Sequence, residues 1–369
     1  MKSLFKIIVQ EFTTEKGLYF KEFPLTYEIF GDPVNLVDKG VLAIHALTGN
    51  SNVCGDQGWW QDTIGHNKTI DLNEYSVICF NIPGNGYGSD DITINIDEML
   101  TSRDIAALFI RGLQALNIYR LWGIIGASLG GLITWEIAIQ KPELAKYILP
   151  IAAGPITSDW VRAHTAIQEE IFLHSDEPQK ISRMLAMMFY RTPKSFEQRF
   201  NGAWNEGKNQ TEIESYLHYQ GDKLTKRMSH GAYRRMNYLL GSQIHRTSLP
   251  KIEKRLKVIK SKIVMTIISS DILFSPDDLK TTWQKLKTIG VDADLHEIIS
   301  DFGHDAFLVE WRQLDKILNP YFPVGQNKNI IDLGRSPQEK TAELSVTKQP
   351  ENRLKPIQEV DPTITRGER

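Results

Sequence analysis

The segment Gly126-Ala127-Ser128-Leu129-Gly130 constrains this chain more than any other, because it stands directly between the apolar run LWGII and the helical run GLITWEIAIQ. A strand that turns at once into a helix crowds its own backbone. Small residues must therefore flank the residue at the bend, whose side chain is lifted above the sheet edge at a helix amino terminus. A serine held there is a candidate nucleophile. Out of context the same five residues read as an ordinary tight glycine turn; the strand and helix on either side favour the elbow.

The rest of the chain supplies the sheet that an elbow needs. Short β-branched apolar runs recur at Val41 to Leu47, Tyr75 to Ile82, Leu121 to Ala127, Tyr147 to Ala152 and Ile263 to Ile268, each followed by turn residues or a helical pattern. Near-continuous apolar strands joined by helices predict a mostly parallel sheet covered on both faces. Phe5 to Phe12 and Leu18 to Phe30 alternate polar and apolar residues, as an antiparallel edge hairpin does. Between about Thr157 and Pro250 the strand signal stops and helical stretches such as RMLAMMFYRTPKSFEQRF take over. Strands resume at Ile263, so the expected architecture is an α/β-hydrolase fold, doubly wound, with an inserted helical cap. The boundaries that follow are 1–156 for the first part of the core, 157–250 for the cap, 251–322 for the second part of the core, and 323–369 for a polar, proline-spaced tail. That tail is too poor in apolar residues to fold alone and is expected to be disordered.

Bulk properties narrow the function. The 369 residues are 41% hydrophobic and 24% charged, with a formal net charge of −2, so no basic excess points to nucleic acid. The two cysteines, Cys54 and Cys79, do not make a secreted disulfide framework and read as core thiols. No apolar stretch is long enough for a membrane span. The amino terminus MKSLFKIIVQEF lacks a signal-peptide pattern, so the expected location is the cytoplasm. No permanently bound cofactor and no metal are expected.

A serine hydroxyl is a weak nucleophile at neutral pH and needs a base to take its proton and an acid to orient that base. In this fold the chain order is serine, acid, histidine. Asp271 follows the strand KIVMTIIS, at the carboxyl end where such sheets gather catalytic groups, and is the candidate acid. His304, in the loop Phe302-Gly303-His304-Asp305 after the possible strand DADLHEII, is the candidate base. Asp277 and Asp278 rival Asp271, but SPDDL reads as a helix start. His296 lies in an alternating strand, and His164, His174, His218, His230 and His245 fall in the cap; packing or surface roles suit them better. The oxyanion of a tetrahedral intermediate needs two backbone N–H groups, and Leu129 and Leu47 are placed to supply them. His45 precedes the serine, and its expected role is to hold that loop by hydrogen bonds.

Several segments resemble the homoserine O-acetyltransferase family, from about residue 40 to residue 318: HALTGNS with the following GWW, GASLGG, RMLAMMFYRTPKSFEQRF, ESYLHYQGDKL, SSDILFSP and FGHDAFLVE. The resemblance implies a triad of Ser128, Asp271 and His304. It also implies that Arg183, Tyr190 and Asp305 face an amino-acid substrate, with acetyl-CoA as co-substrate, L-homoserine as acceptor and a homodimer as the assembly. A guanidinium suits the carboxylate of such a zwitterion, and a carboxylate suits its ammonium. Two departures stand out. A longer family loop resembling NVLGGCYGSTGP is here Asn81-Ile82-Pro83-Gly84-Asn85-Gly86-Tyr87-Gly88-Ser89-Asp90, and the elbow reads GASLGG where GGSMGG is common. The shortened loop bears on donor and acceptor choice, and leaves open succinyl for acetyl, serine for homoserine, or water in an esterase or amidase.

Overall fold

A computed structural model describes residues 4–88, 100–242 and 249–325. Its centre is an eight-stranded sheet: β1 (Phe5–Thr13), β2 (Tyr19–Phe30), β3 (Gly40–Ile44), β4 (Ser76–Phe80), β5 (Leu121–Ala127), β6 (Ala145–Ile151), β7 (Lys262–Ile268) and β8 (Ala293–Ile298). The spatial order is β1-β2-β4-β3-β5-β6-β7-β8. The first two pairings are antiparallel and the remaining five parallel. The polar-apolar hairpin thus sits at one edge, and the continuous apolar runs fill the middle.

Period-two geometry explains why the central runs are mostly apolar on both faces. Along β3, Leu42 and Ile44 join one core cluster while Val41 and Ala43 join the other. β4 divides in the same way, Ile78 and Phe80 against Val77 and Cys79. Each face is covered, so no residue of either strand meets water. Helices α1 (Ser102–Ala115) and α2 (Leu129–Gln140) press Phe109, Leu132 and Trp135 onto the first face. Trp60, Tyr75 and Phe322 close the second. Both cysteines are buried and neither forms a disulfide.

Between β6 and β7 the chain forms α3 (Asp159–His174), α4 (Pro178–Tyr190), α5 (Pro193–Phe200), α6 (Glu212–Thr225), α7 (His230–Gly241) and α8 (Leu249–Leu256). Their starts are fixed locally: Ser158 caps α3, and Thr192 and Thr211 form reciprocal capping boxes with Ser195 and Glu214. These helices roof the carboxyl ends of the strands. Thr192 Oγ1 donates to Asp301 O at 2.5 Å, Trp160 Nε1 to Ile272 O at 2.6 Å, and an Arg227 guanidinium nitrogen to Thr48 O at 3.3 Å. Asp277 and Asp278 open helix α9 (Pro276–Thr288), with Ser275 as its cap. β3 ends at Ile44, three residues before the apolar run does, because His45, Ala46 and Leu47 leave the sheet to form a turn. No helix among the described residues is long and apolar enough to cross a membrane. His245 and the tail beyond Gly325 lie outside the described residues.

Candidate active site

The elbow is built from close approaches that admit no side chains. A Cβ on Gly126 would stand 2.4 Å from Gly130 O, one on Gly130 2.2 Å from Ile44 O, and one on Gly131 2.6 Å from the Ala153 Cβ. The glycines are therefore steric requirements of running α2 straight back over β5 and β3. Ser128 itself sits at φ +56° and ψ −123°, a region that L-residues rarely occupy. The distortion turns its side chain out of the strand at the amino end of α2, where the first N–H groups, Leu129 included, have no partner inside the helix. Ser128 is buried, at 5% exposure.

Asp271 and His304 meet in the loops that follow β7 and β8. His304 Nδ1 lies 2.7 Å from Asp271 Oδ2, and Asp271 Oδ1 accepts from Leu273 N at 2.8 Å and Phe274 N at 2.9 Å. The carboxylate is thus fixed by a turn of its own making, and one oxygen is left for the imidazole. Three aromatic rings bracket that imidazole, with centroids at 5.4 Å for Phe274, 5.6 Å for Phe307 and 5.8 Å for Tyr190. With Nδ1–H donated to the aspartate, Nε2 carries a lone pair. It is buried and has no hydrogen-bond partner among the described residues. Gly303, at φ +66°, lets the loop pass under the end of α4, since a Cβ there would stand 2.9 Å from Tyr190 O.

Leu47 lies in the turn closed by Gly49 N donating to Ala46 O at 2.9 Å. His45 anchors that turn: its Nδ1 is 2.8 Å from Ala46 O, and its Nε2 accepts from Ile82 N at 2.9 Å. Nδ1 must carry the proton for both bonds to form, so the ring is neutral, and complete burial lowers its pKa to about 4. Asn85, Asn81, Ser51 and Glu28 continue this buried network beneath the loop.

The cap contributes the third side. Arg183 lies over the Tyr190 ring at 5.4 Å, and burial raises the Tyr190 hydroxyl to about 12 against the nearby Arg183 charge. Asp305 is near the same ring, but its Oδ2 already stands 3.0 Å from Arg191 Nε, an ion contact whose N–H is not aimed along a hydrogen bond. Of the residues singled out in the sequence, Tyr190 packs against His304, with Arg183 over the same ring. Asp305 is shared with an arginine that sequence reasoning does not single out. Two further groups escape it as well. His164 of α3 is fully buried, with its ring 4.5 Å from Phe189 and 6.5 Å from Tyr190, and burial above all lowers its pKa to about 4. Arg227 reaches from beyond α6 to the Leu47 turn, and burial beside Arg183 lowers its pKa. No local pattern marks these residues; only the packing of distant elements does.

A strand-to-helix serine, a strand-end aspartate and a loop histidine on this sheet define the α/β-hydrolase class, and residues 40–310 match the family described as alpha/beta hydrolase fold. The homoserine O-acetyltransferase of Trichormus variabilis is 31% identical over 333 residues, covering 83% of this chain and 90% of that protein. The chain belongs to the homoserine O-acetyltransferase family, and it is an acyltransferase-type enzyme. Solved structures agree in fold. Homoserine O-acetyltransferase from Bacillus anthracis superposes with a TM-score of 0.76 at 19% identity, covering 87% of this chain and 98% of that one. Esterase E22 also reaches 0.76, at 20% identity, covering 88% and 100%. At such identities the likeness concerns architecture alone.

Proposed function

We propose that the protein transfers an acetyl group from acetyl-CoA to the hydroxyl of L-homoserine, a step of methionine biosynthesis, by a ping-pong route through an acetyl-Ser128 intermediate. The observation that carries the reading is His304, with Nδ1 bound to Asp271 and a buried, unpartnered Nε2, in contact with the Tyr190 ring under a cap bearing Arg183.

In the first half, His304 Nε2 takes the proton of Ser128 Oγ as the oxygen attacks the thioester carbonyl. Asp271 holds the ring in its tautomer and stabilises the imidazolium. The N–H groups of Leu47 and Leu129 hold the oxyanion. The intermediate collapses, CoA leaves with the proton from His304, and the acetyl group stays on Ser128. In the second half, the homoserine hydroxyl gives its proton to His304, attacks the acetyl carbonyl, and expels Ser128 Oγ, which recovers the proton. Arg183 takes the acceptor carboxylate and Asp305 its ammonium, which places the hydroxyl in competition with water.

The test is thiol release from acetyl-CoA measured with and without homoserine, together with mass spectrometry of enzyme exposed to acetyl-CoA alone. An acetyl adduct on Ser128 and a large stimulation by homoserine are expected. Equal thiol release with and without homoserine would make the protein an esterase-like hydrolase, and kinetics that require both substrates bound together would rule out the covalent route.

A further inference from the structure

The charges beneath the cap do not balance. Arg199 lies over the Tyr216 ring at 4.7 Å, Arg183 over the Tyr190 ring at 5.4 Å, and Arg191 engages Asp305. Arg227 adds a further guanidinium close enough to Arg183 for the two to repel. Among the described residues neither Arg183 nor Arg227 forms an ion pair with a carboxylate. Arg227 is held at 3.3 Å from Thr48 O and 3.2 Å from Thr48 Oγ1, and its Nε is buried without a partner. Two guanidiniums that repel each other, both only partly exposed and neither paired with a carboxylate, are costly unless a ligand supplies the negative charge.

We propose that Arg227 is a second carboxylate-binding group of the acceptor site: the acceptor's carboxylate is held between Arg183 and Arg227. This deepens the acyltransferase reading and rests on it. The position of Arg227 gives the contact a consequence. It donates to Thr48, the residue after Leu47, so a carboxylate bound to it is one side chain away from the turn that carries an oxyanion N–H. An acceptor without a carboxylate forfeits both guanidinium contacts. A guanidinium suits the task better than an ammonium, because one edge can serve Thr48 while the remaining N–H groups serve the ligand.

The experiment uses the full chain with Arg227→Met and Arg227→Lys, and compares homoserine with 3-amino-1-propanol, which keeps the ammonium and the hydroxyl but lacks the carboxylate. Arg227→Met is expected to raise the KM for homoserine about 10- to 100-fold while changing the efficiency with 3-amino-1-propanol less than about 3-fold. Arg227→Lys recovers part of the loss, and the pre-steady-state thiol burst with acetyl-CoA alone stays within a few-fold of the unsubstituted enzyme. An equal loss on both acceptors, with a slowed burst, would reduce Arg227 to a prop of the Leu47 turn. A rise in the KM for acetyl-CoA that vanishes with S-acetyl-N-acetylcysteamine, which has no phosphates, would assign it to the CoA nucleotide instead. Either result overturns the proposal. If Arg227→Met is poorly folded by its thermal midpoint, Arg227→Lys decides, since it must still discriminate between the two acceptors. Should the unsubstituted enzyme show no homoserine-dependent turnover, the acceptor reading itself falls, an outcome visible before any variant is made.

Discussion

The backbone at Ser128 makes a prediction that does not depend on the substrate. A residue held near φ +56° and ψ −123° is strained by about 1–3 kcal/mol, and the surroundings enforce that geometry here, since Ser128 N donates to Ile151 O at 3.0 Å and Ser128 O accepts from Leu132 N at 3.0 Å. Ser128→Ala removes the hydroxyl and keeps the strain. Ser128→Gly removes both, because glycine has no Cβ to clash in this region. Its extra freedom in the unfolded chain costs about 0.4–1 kcal/mol, which leaves a net gain over the alanine variant of about 1–2 kcal/mol. A folded body of roughly 320 residues unfolds with about 0.7 kcal/mol/K of entropy, so the glycine variant should melt about 1.5–3 °C above the alanine variant. Both should lose acetyl transfer by several orders of magnitude. Paired calorimetric scans at pH 7.5 measure the difference, and the alanine variant serves as the control for the lost hydroxyl. If Ser128→Gly melts at or below Ser128→Ala, the elbow stores no strain and the argument from its dihedral angles is wrong.

Three further outcomes follow from the site. Asp271→Asn should fold normally, since the Oδ1 that accepts from Leu273 and Phe274 is retained, yet lose about 10⁴-fold in kcat, because an amide N–H facing His304 Nδ1 reverses the tautomer and leaves Nε2 protonated; stopped-flow thiol release measures it, and a loss below tenfold would refute the orienting role. Arg183→Ala should lower the efficiency with homoserine by tens to thousands, the equivalent of about 2–5 kcal/mol for a desolvated charge contact, while acylation by acetyl-CoA stays within about tenfold; unchanged homoserine kinetics would remove Arg183 from the acceptor site. His45 and His164 are neutral when folded, with pKa values lowered to about 4, and in the unfolded chain they bind protons below about 6.5. The unfolded state therefore holds more protons between those values, so stability should fall as pH drops from about 6.5 toward 4, by about 3 kcal/mol for each histidine. Urea midpoints across that range measure the slope, and a His164→Gln variant that retains the full slope would exclude His164 from it.

What the sequence reveals and what it hides divide by the range of the forces involved. The central strands are legible because burial on both faces leaves β3 and β4 almost wholly apolar, the exception being Ser76, whose hydroxyl donates to Asp32 O. Ser128, Asp271 and His304 are legible because each lies where a strand ends, amid local devices: a steric elbow of glycines, an aspartate capping its own turn, a glycine that lets its loop pass. The apolar run at Val41 to Leu47 misleads by three residues because leaving the sheet at Ile44 is imposed from outside, by the Ile82 N–H bonding to His45. The cap hides most. Arg191 follows a helix end, and Arg227 stands in a run of cations that reads as a solvated face, yet the first meets Asp305 across 114 residues of chain and the second meets Thr48 across 179. Nothing in a neighbouring residue records such a partner. In the proposed reading, attack on an acyl group is thus encoded in short segments at the strand ends, whereas the acceptor contacts fall on arginines placed by the packing of the inserted helices. Substitutions that change the acceptor while sparing acylation should therefore concentrate in the cap, at positions whose sequence surroundings look unremarkable.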